Sequence, residues 1–197
     1  MTMGLAASWW RVCTRPRTSV FSSELRGKSN TKTFAGVVIG AFLGLLLSWA
    51  VYQLVGQSQG KFMGLASIWV KSGTSPPIGS WAAIVPLGVI VGFYDFEIVL
   101  FIVARLLGGK GSFGTQAYVQ SLFYAPLAIL QQVVVVTPAL ARPLFALLAV
   151  CSLVPTTTSL KAAHGYSMWR AVLTWAAPIV LNLLAILIVV MLASRGR

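Results

Sequence analysis

The stretch FAGVVIGAFLGLLLSWAVYQLVG, Phe34 to Gly56, decides the fold class, because its 23 residues include no charged side chain. An α-helix rises about 1.5 Å per residue, so a run of this length can cross a bilayer core about 30 Å thick. The stretch therefore predicts a transmembrane helix. The basic residues of the chain lie between this run and other apolar runs, which is the pattern of a membrane protein and not of a nucleic-acid-binding one.

Four further apolar runs follow, and with the first they predict an all-α polytopic membrane protein with five transmembrane helices. They extend over about Trp81 to Leu107, Ala117 to Thr137, Leu140 to Ala162 and Met168 to Ala193. The two prolines of TPALARP, Thr137 to Pro143, suit a tight turn between antiparallel helices. Composition agrees, because 57% of the residues are hydrophobic and only 9% are charged, against about 25% charged residues in an average soluble domain.

The distribution of Lys and Arg predicts the orientation in the membrane. Ten of the fifteen bases precede the first span or lie in the connections between spans two and three and between spans four and five, which leaves five on the other side. By the positive-inside rule, the N-terminus is expected in the cytoplasm and the C-terminus outside.

Residues 1–33 are predicted to be a basic, aromatic N-terminal segment, and residues 34–197 the membrane domain. SWWRVCTRPRTSVFSSELRGKSNTK, Ser8 to Lys32, mixes Trp, Phe and Leu with Arg and Lys, which favours a short helix lying in the membrane interface. A disordered basic tail is the alternative. Trp9 and Trp10 favour the helix, because their rings would be costly to leave in water.

The hexapeptide GKGSFG, Gly109 to Gly114, has the glycine spacing of a nucleotide-binding loop, but the rest of the chain excludes that function. A kinase needs two Asp and a Glu, whereas the acids here are Glu24, Asp95 and Glu97. A dinucleotide site needs an acid about 20 residues after its loop, and none follows Glu97. His164 has neither a metal-ligand set nor a nucleophile and acid around it in the sequence. We therefore expect no nucleotide, cofactor, metal or catalytic residues.

Small residues recur every four positions in the first two runs, which makes a flat stripe that another helix can approach closely. They are Gly36, Gly40 and Gly44, followed by Ser48, in the first run, and Gly88 and Gly92 in the second. We expect these glycines to pack helices within the chain. The alternative is a docking face for another membrane protein.

Asp95 and Glu97 lie in the middle of the second run, where an ionisable group costs about 3 kcal/mol. Residues two apart on a helix point about 200° apart, so the pair cannot share one site in an unbroken helix. One hypothesis is a proton or cation path, with Gln131, Gln132 or Asn182 as polar partners. The alternatives are an acid hydrogen-bonded within the bundle, or a register that places the pair nearer an interface.

Three longer stretches follow the same order as in a known family. They are WWRVCTRPRTSVF before the first span, ARLLGGKGSFGTQAYVQSLFYAPLAIL between the second and third, and LKAAHGYSMWRAVLTWAAPIVL before the fifth. Together they resemble the Yip family, named for interaction with Ypt and Rab GTPases, and in particular its short bacterial members. The resemblance implies a five-span bundle in a bacterial cytoplasmic (inner) membrane, with its N-terminus in the cytoplasm.

The resemblance also implies a non-enzymatic adaptor, scaffold or accessory subunit that contacts other integral membrane proteins or forms a homo-oligomer. GGKGSFG becomes a cytoplasmic connector, since glycines let the chain turn out of one helix and into the next. The residues predicted to contact a partner or lipid headgroups are Gly109, Lys110, Gly111, Lys161, His164 and Arg170. The alternative function is a small proton, cation or solute transporter that uses Asp95 and Glu97.

Overall fold

The computed structural model describes residues 4–55, 78–135 and 138–195, and every regular element in these ranges is helical. Two short helices come first, α1 (Leu5–Thr14) and α2 (Thr18–Glu24), and a 3-10 turn follows at Leu25–Gly27. The five long helices are α3 (Asn30–Val55), α4 (Ile78–Leu106), α5 (Phe113–Val135), α6 (Pro138–His164) and α7 (Met168–Arg195). Each long helix overlaps one of the five predicted runs, so the all-α class is confirmed.

Three of the long helices contain a segment that is long and apolar enough to cross a membrane. These segments are Asn30–Val51 in α3, Ile84–Leu106 in α4 and Pro143–His164 in α6, and α7 has a shorter apolar stretch, Met168–Leu184. Large apolar side chains such as Leu46, Leu87 and Leu181 are exposed on their outer surfaces. A helix whose face away from the bundle is also apolar is more stable against lipid than against water. The chain is therefore a helical membrane protein.

Helix α5 lies at the centre of the bundle. It packs most extensively against α3 and α6, and it also contacts α1 and α4. All residues from 116 to 123 are buried. Because protein encloses this part of the helix, it can carry Gln116, Gln120 and Ser121, which would be costly against lipid.

The small residues of α3 bring it close to α5. A Cβ atom built on Gly40 would lie 2.9 Å from the backbone of Ala125, and one built on Gly44 would lie 2.7 Å from Cδ of Gln132. Residue numbers rise together along the two helices, so α3 and α5 run parallel. Gly36 has looser surroundings, because its nearest neighbours would lie 3.8 Å away.

The two glycines of α4 are placed differently from those of α3. Gly88 and Gly92 are exposed, and a Cβ atom built on either would meet nothing within 4 Å. The prediction that they pack helices within the chain is therefore wrong for the residues that the structure describes. The four-residue spacing indicates a flat surface, but it does not indicate what covers that surface.

Replacing Gly40 with alanine is expected to destabilise the protein by about 1–3 kcal/mol, because the added methyl group would overlap the Ala125 backbone. Gly36→Ala is the matched control on the same helix, since its methyl group would make ordinary contacts and alanine favours the helix by up to about 1 kcal/mol. The measurement is the unfolding midpoint in mixed micelles. Equal midpoints for the two variants would contradict close packing at Gly40.

The N-terminal segment forms two helices that pack on the bundle. The sequence favours a single short helix in the membrane interface. Its buried side chains share one apolar cluster with α5 and α6, formed by Val12, Phe21, Tyr118, Val119, Leu122, Phe123 and Ala163. Trp9 packs against this cluster, whereas Trp10 is 75% exposed. The segment therefore shares its core with the membrane domain, and α3 begins at Asn30, just before the predicted boundary at residue 34.

Glu24 fixes the two short helices to each other. Its side chain is buried, it accepts a hydrogen bond of 2.8 Å from the Ser8 hydroxyl, and it lies 3.6 Å from the Arg11 guanidinium. A buried carboxylate is stable only when it has such partners. This acid therefore orders the N-terminal segment.

The turn predicted at TPALARP, between α5 and α6, differs from the structure at its second proline. α6 begins at Pro138, a position where the missing N–H would be unpaired in any residue. Pro143 lies inside the helix, so its place in the turn was predicted wrongly. Transmembrane helices tolerate an internal proline because neighbouring groups can satisfy the freed carbonyl. Thr137 falls outside the described residues.

Candidate functional site

One end of the bundle gathers the chain segments that the sequence singles out. The ends of α4 and α6 meet the starts of α3, α5 and α7 there, together with α1 and α2. Lys28, just before α3, donates a hydrogen bond of 2.9 Å to the Thr115 hydroxyl at the start of α5. We call this end the glycine-loop end, after the loop of residues 107–112 that lies on it, which we call the glycine loop.

The glycine loop begins with a helix stop that requires glycine. Gly108 has a φ of 83°, which few residues with a side chain adopt. Its N–H donates to the Arg105 carbonyl at 3.0 Å, and the Gly109 N–H donates to the Ala104 carbonyl at 2.8 Å. These two bonds form a Schellman motif, which satisfies the last carbonyls of α4 and turns the chain sharply.

The rest of the glycine loop lies against the end of α6. A Cβ atom on Gly109 would lie 2.6 Å from Nδ1 of His164, and one on Gly111 would overlap the carbonyl oxygen of Ala163. The Lys110 N–H donates to the carbonyl of His164 at 3.3 Å. The glycines are therefore needed for close approach as well as for turning.

A chain of three buried polar side chains lies beneath the glycine loop. Glu97 of α4, Gln116 of α5 and His164 of α6 are 1%, 0% and 3% exposed. The Gln116 amide group donates to the Glu97 side chain at 2.7 Å and to the Glu97 carbonyl at 2.9 Å. Its oxygen lies 2.8 Å from His164 Nε2. Because that oxygen can only accept, Nε2 carries the proton of this bond.

Two aromatic rings lie next to the His164 imidazole. Tyr166 stacks on its ring at a centroid distance of 5.3 Å, and Phe101 lies 6.2 Å away. The Arg105 guanidinium sits 5.3 Å above the Phe101 ring and donates to the Gly109 carbonyl at 3.2 Å. His164 Nδ1 is buried and has no hydrogen-bond partner among the described residues. The imidazole is thus enclosed by α4, the glycine loop and the turn after α6.

The turn that follows α6, residues 165–167, borders the site next to His164. Gly165 has a φ of 67°, and its N–H donates to the Lys161 carbonyl at 2.9 Å, which ends α6 in a left-handed cap. The Tyr166 hydroxyl pairs with the Thr174 hydroxyl of α7 at 2.8 Å. Burial raises the pKa of the Tyr166 hydroxyl, so it stays neutral at physiological pH and holds the turn on α7.

The six residues predicted to contact a partner divide into two groups. Lys110 and Arg170 are exposed, and Gly111 and Lys161 are partly exposed. Gly109 and His164 are buried, so their prediction as contact residues is wrong. Their position beneath the surface comes from the packing of the glycine loop on α6, which the order of residues in the sequence does not reveal.

Asp95 and Glu97 do not share a site. Glu97 points into the bundle, whereas Asp95 is exposed on the outside of α4. The side chain of Glu97 is hydrogen-bonded to Gln116. It is not hydrogen-bonded to Gln131, Gln132 or Asn182, the partners that the sequence predicts. Gln132 instead makes a 3.4 Å contact with the Ala41 carbonyl of α3. Asn182 donates to the Pro178 carbonyl of its own helix at 3.0 Å. Among the described residues, no hydrogen bond joins Gln131 to either acid.

Gln116 and Glu24 are absent from the site residues that the sequence predicts. A signal for Gln116 exists, because Gln116 and Gln120 lie one turn apart in a predicted membrane helix. A pair of amides at that spacing in an apolar run indicates a helix enclosed by protein. For Glu24 the only signal is that it is the single acid in a basic segment.

No family model, no curated protein and no solved structure matches the chain.

Proposed function

We propose that the chain is a non-enzymatic adaptor or accessory subunit of a membrane protein complex, a five-span protein of the Yip type. In this proposal its glycine-loop end faces the cytoplasm of a bacterial inner membrane and its C-terminus lies outside. The partner binds the basic surface of the glycine-loop end.

The packing of the helices supports five spans. α3 and α5 run parallel, and α4 to α7 follow each other through short connections, as spans of alternating direction require. α5 has 23 residues, which extend about 34 Å. Its polar side chains lower its hydropathy, but Gln116 and Gln120 lie inside the bundle and not against lipid.

The basic residues support the orientation. Arg105, Lys110, Lys161 and Arg170 lie at the glycine-loop end. Five bases precede α3, and a sixth, Lys32, lies in its first turn at the same end. An excess of Lys and Arg marks the cytoplasmic side of bacterial membrane proteins.

The observation that carries the proposed contact surface is the way the glycine loop is held. Its Lys110 side chain is exposed while its backbone is bonded to His164. The Arg170 guanidinium lies 3.4 Å from the position of a Cβ atom on Gly108. The glycine loop and the start of α7 thus present two exposed cations at the same end of the bundle. Two cations presented at the same end of the bundle favour an acidic partner surface, because opposite charges attract across an interface.

The test is the native mass of the gently extracted protein, with its companions identified. We expect a stoichiometric companion protein with the wild type and at least about tenfold less of it with Lys110→Glu combined with Arg170→Glu. The control is Lys61→Glu with Lys71→Glu, the same change of charge on the side predicted to lie outside.

Two results would contradict this proposal. One is a wild-type protein that runs as a monomer or homo-oligomer without a companion. The other is a companion that stays bound when both loop cations are reversed while the protein remains folded.

A further inference from the structure

Asp95 is an isolated carboxyl group on the outer surface of α4. It is exposed, and among the described residues it has neither a hydrogen bond nor an ion pair. The exposed side chains around it are apolar, and they include Val91, Ile98, Val99 and Ile102. An acid in such surroundings is poorly accommodated when the surface faces lipid.

The depth of Asp95 makes this cost matter. It lies in the middle of the apolar segment Ile84–Leu106, eleven residues before the end of α4, which corresponds to about 16 Å along the helix. An ionised side chain near the centre of a span costs about 3 kcal/mol on insertion scales. An acid at this depth without a partner among the described residues favours a partner on another molecule.

The same face of α4 is open to close approach by another helix. Gly88, Gly92 and Asp95 follow each other at spacings of four and three residues, so they lie on one face. Among the described residues, no neighbouring helix comes within 4 Å of a Cβ built on either glycine. On α3, by contrast, Gly40 and Gly44 are covered by α5. We call the surface of Gly88, Gly92 and Asp95 the α4 outer face.

We propose that the α4 outer face binds a transmembrane helix of the partner, and that this helix carries a Lys or Arg at the depth of Asp95. The glycines let the two backbones approach, and the cation pairs with the carboxylate where water is scarce. The inference rests on the proposed function as an accessory subunit and names a second contact of the same partner, within the membrane.

Charge decides between a partner helix and a second copy of this chain. The bases in the described helices lie near one end or the other of a span, such as Arg105 and Arg170 at the glycine-loop end and Arg195 at the far end of α7. A second copy packed through the α4 outer face would bring Asp95 near another Asp95 and, from its described residues, would offer no cation at that depth. Like charges at short distance disfavour that arrangement.

The probe is a synthetic apolar helix of about 20 residues with one Lys at its centre, compared with helices that carry Leu or Glu there. Association with the full-length protein is measured by energy transfer in phosphatidylcholine vesicles. We expect the Lys helix to bind at least about tenfold more tightly than the Leu helix, and the Glu helix more weakly than either.

The variants separate charge from shape. Asp95→Asn is expected to remove the preference for Lys, and Asp95→Glu to keep most of it, because it retains a carboxylate. Gly92→Leu is expected to weaken binding of the Lys and Leu helices alike, since the added side chain keeps the backbones apart. Lys61→Gln with Lys71→Gln should leave the preference unchanged.

Three results would overturn the α4 outer face as a binding site. They are equal binding of the Lys and Leu helices, energy transfer between two copies of the protein that is lost in Asp95→Asn, and a native companion that stays bound in Asp95→Asn. The last result leaves the adaptor role intact. Conversely, selective binding of the Lys helix by a protein that has no native companion would support the site and contradict the adaptor role.

Discussion

Gln116→Leu is expected to lower the free energy of unfolding by about 3–5 kcal/mol, the largest effect of any single substitution considered. The change removes the amide that bonds both the side chain and the carbonyl of Glu97, and it also removes the acceptor for His164 Nε2. Each buried polar group left unpaired costs about 1–3 kcal/mol, and more when it is charged. The measurement is the unfolding midpoint in mixed micelles. Unfolding is monitored by the near-ultraviolet circular dichroism of the tryptophans.

Gln120→Leu is the matched control for this prediction. Gln120 lies one turn further along α5, is buried to the same degree, and already has an Nε2 atom without a hydrogen-bond partner. Leucine has a similar volume and leaves no amide to satisfy, so this variant is expected to be neutral or slightly stabilised. Equal destabilisation of the two variants would mean that the loss comes from packing alone.

Glu97→Gln distinguishes the hydrogen bond from the charge. The side-chain oxygen of the new glutamine can still accept a hydrogen bond from the Gln116 amide. Most of the stability that the hydrogen bonds among residues 97, 116 and 164 provide should therefore remain. A loss as large as that of Gln116→Leu would show instead that the carboxylate itself is required. That result would favour the transport hypothesis, in which an ionisable group at residue 97 is indispensable.

The helices could be predicted from the sequence because length and apolar composition are local properties. Phe34 to Gly56 indicates a span whatever surrounds it, and α3 occupies almost the same residues. The centre of the bundle could not be predicted in this way. A hydropathy average treats Gln116 as a slight weakening of a span, whereas its role depends on Glu97 and His164, which belong to two other helices.

The glycine loop shows the same division between local and tertiary causes. Glycines in GGKGSFG predict a turn between helices, and Gly108 fulfils this by its positive φ. The need for Gly109 and Gly111 arises only when α6 lies against the loop. The spacing of these glycines matches a nucleotide-binding loop, but here they create room for a histidine and a carbonyl group.

Gly111→Ala is expected to destabilise the protein by about 1–3 kcal/mol and to detach the glycine loop from α6. The new methyl group would overlap the Ala163 carbonyl oxygen and come within 3.0 Å of His164 Nδ1. Since the obstacle includes backbone, rotation of a side chain cannot relieve it. The specific measurement is hydrogen exchange of the Lys110 amide, which should accelerate because its bond to the His164 carbonyl is lost.

Gly114→Ala is the control on the other side of the glycine loop. A Cβ atom there would meet only the side-chain oxygen of Asn30, at 3.1 Å, and that side chain can move. Because Gly114 lies in the first turn of α5, alanine should keep or slightly raise stability. Unchanged exchange of the Lys110 amide in Gly111→Ala would mean that the loop does not rest on α6. A further result concerns the partner. Gly111→Ala retains both Lys110 and Arg170. If this variant alone shows accelerated exchange and also loses the native companion, the partner recognises the position of the cations and not merely their charge.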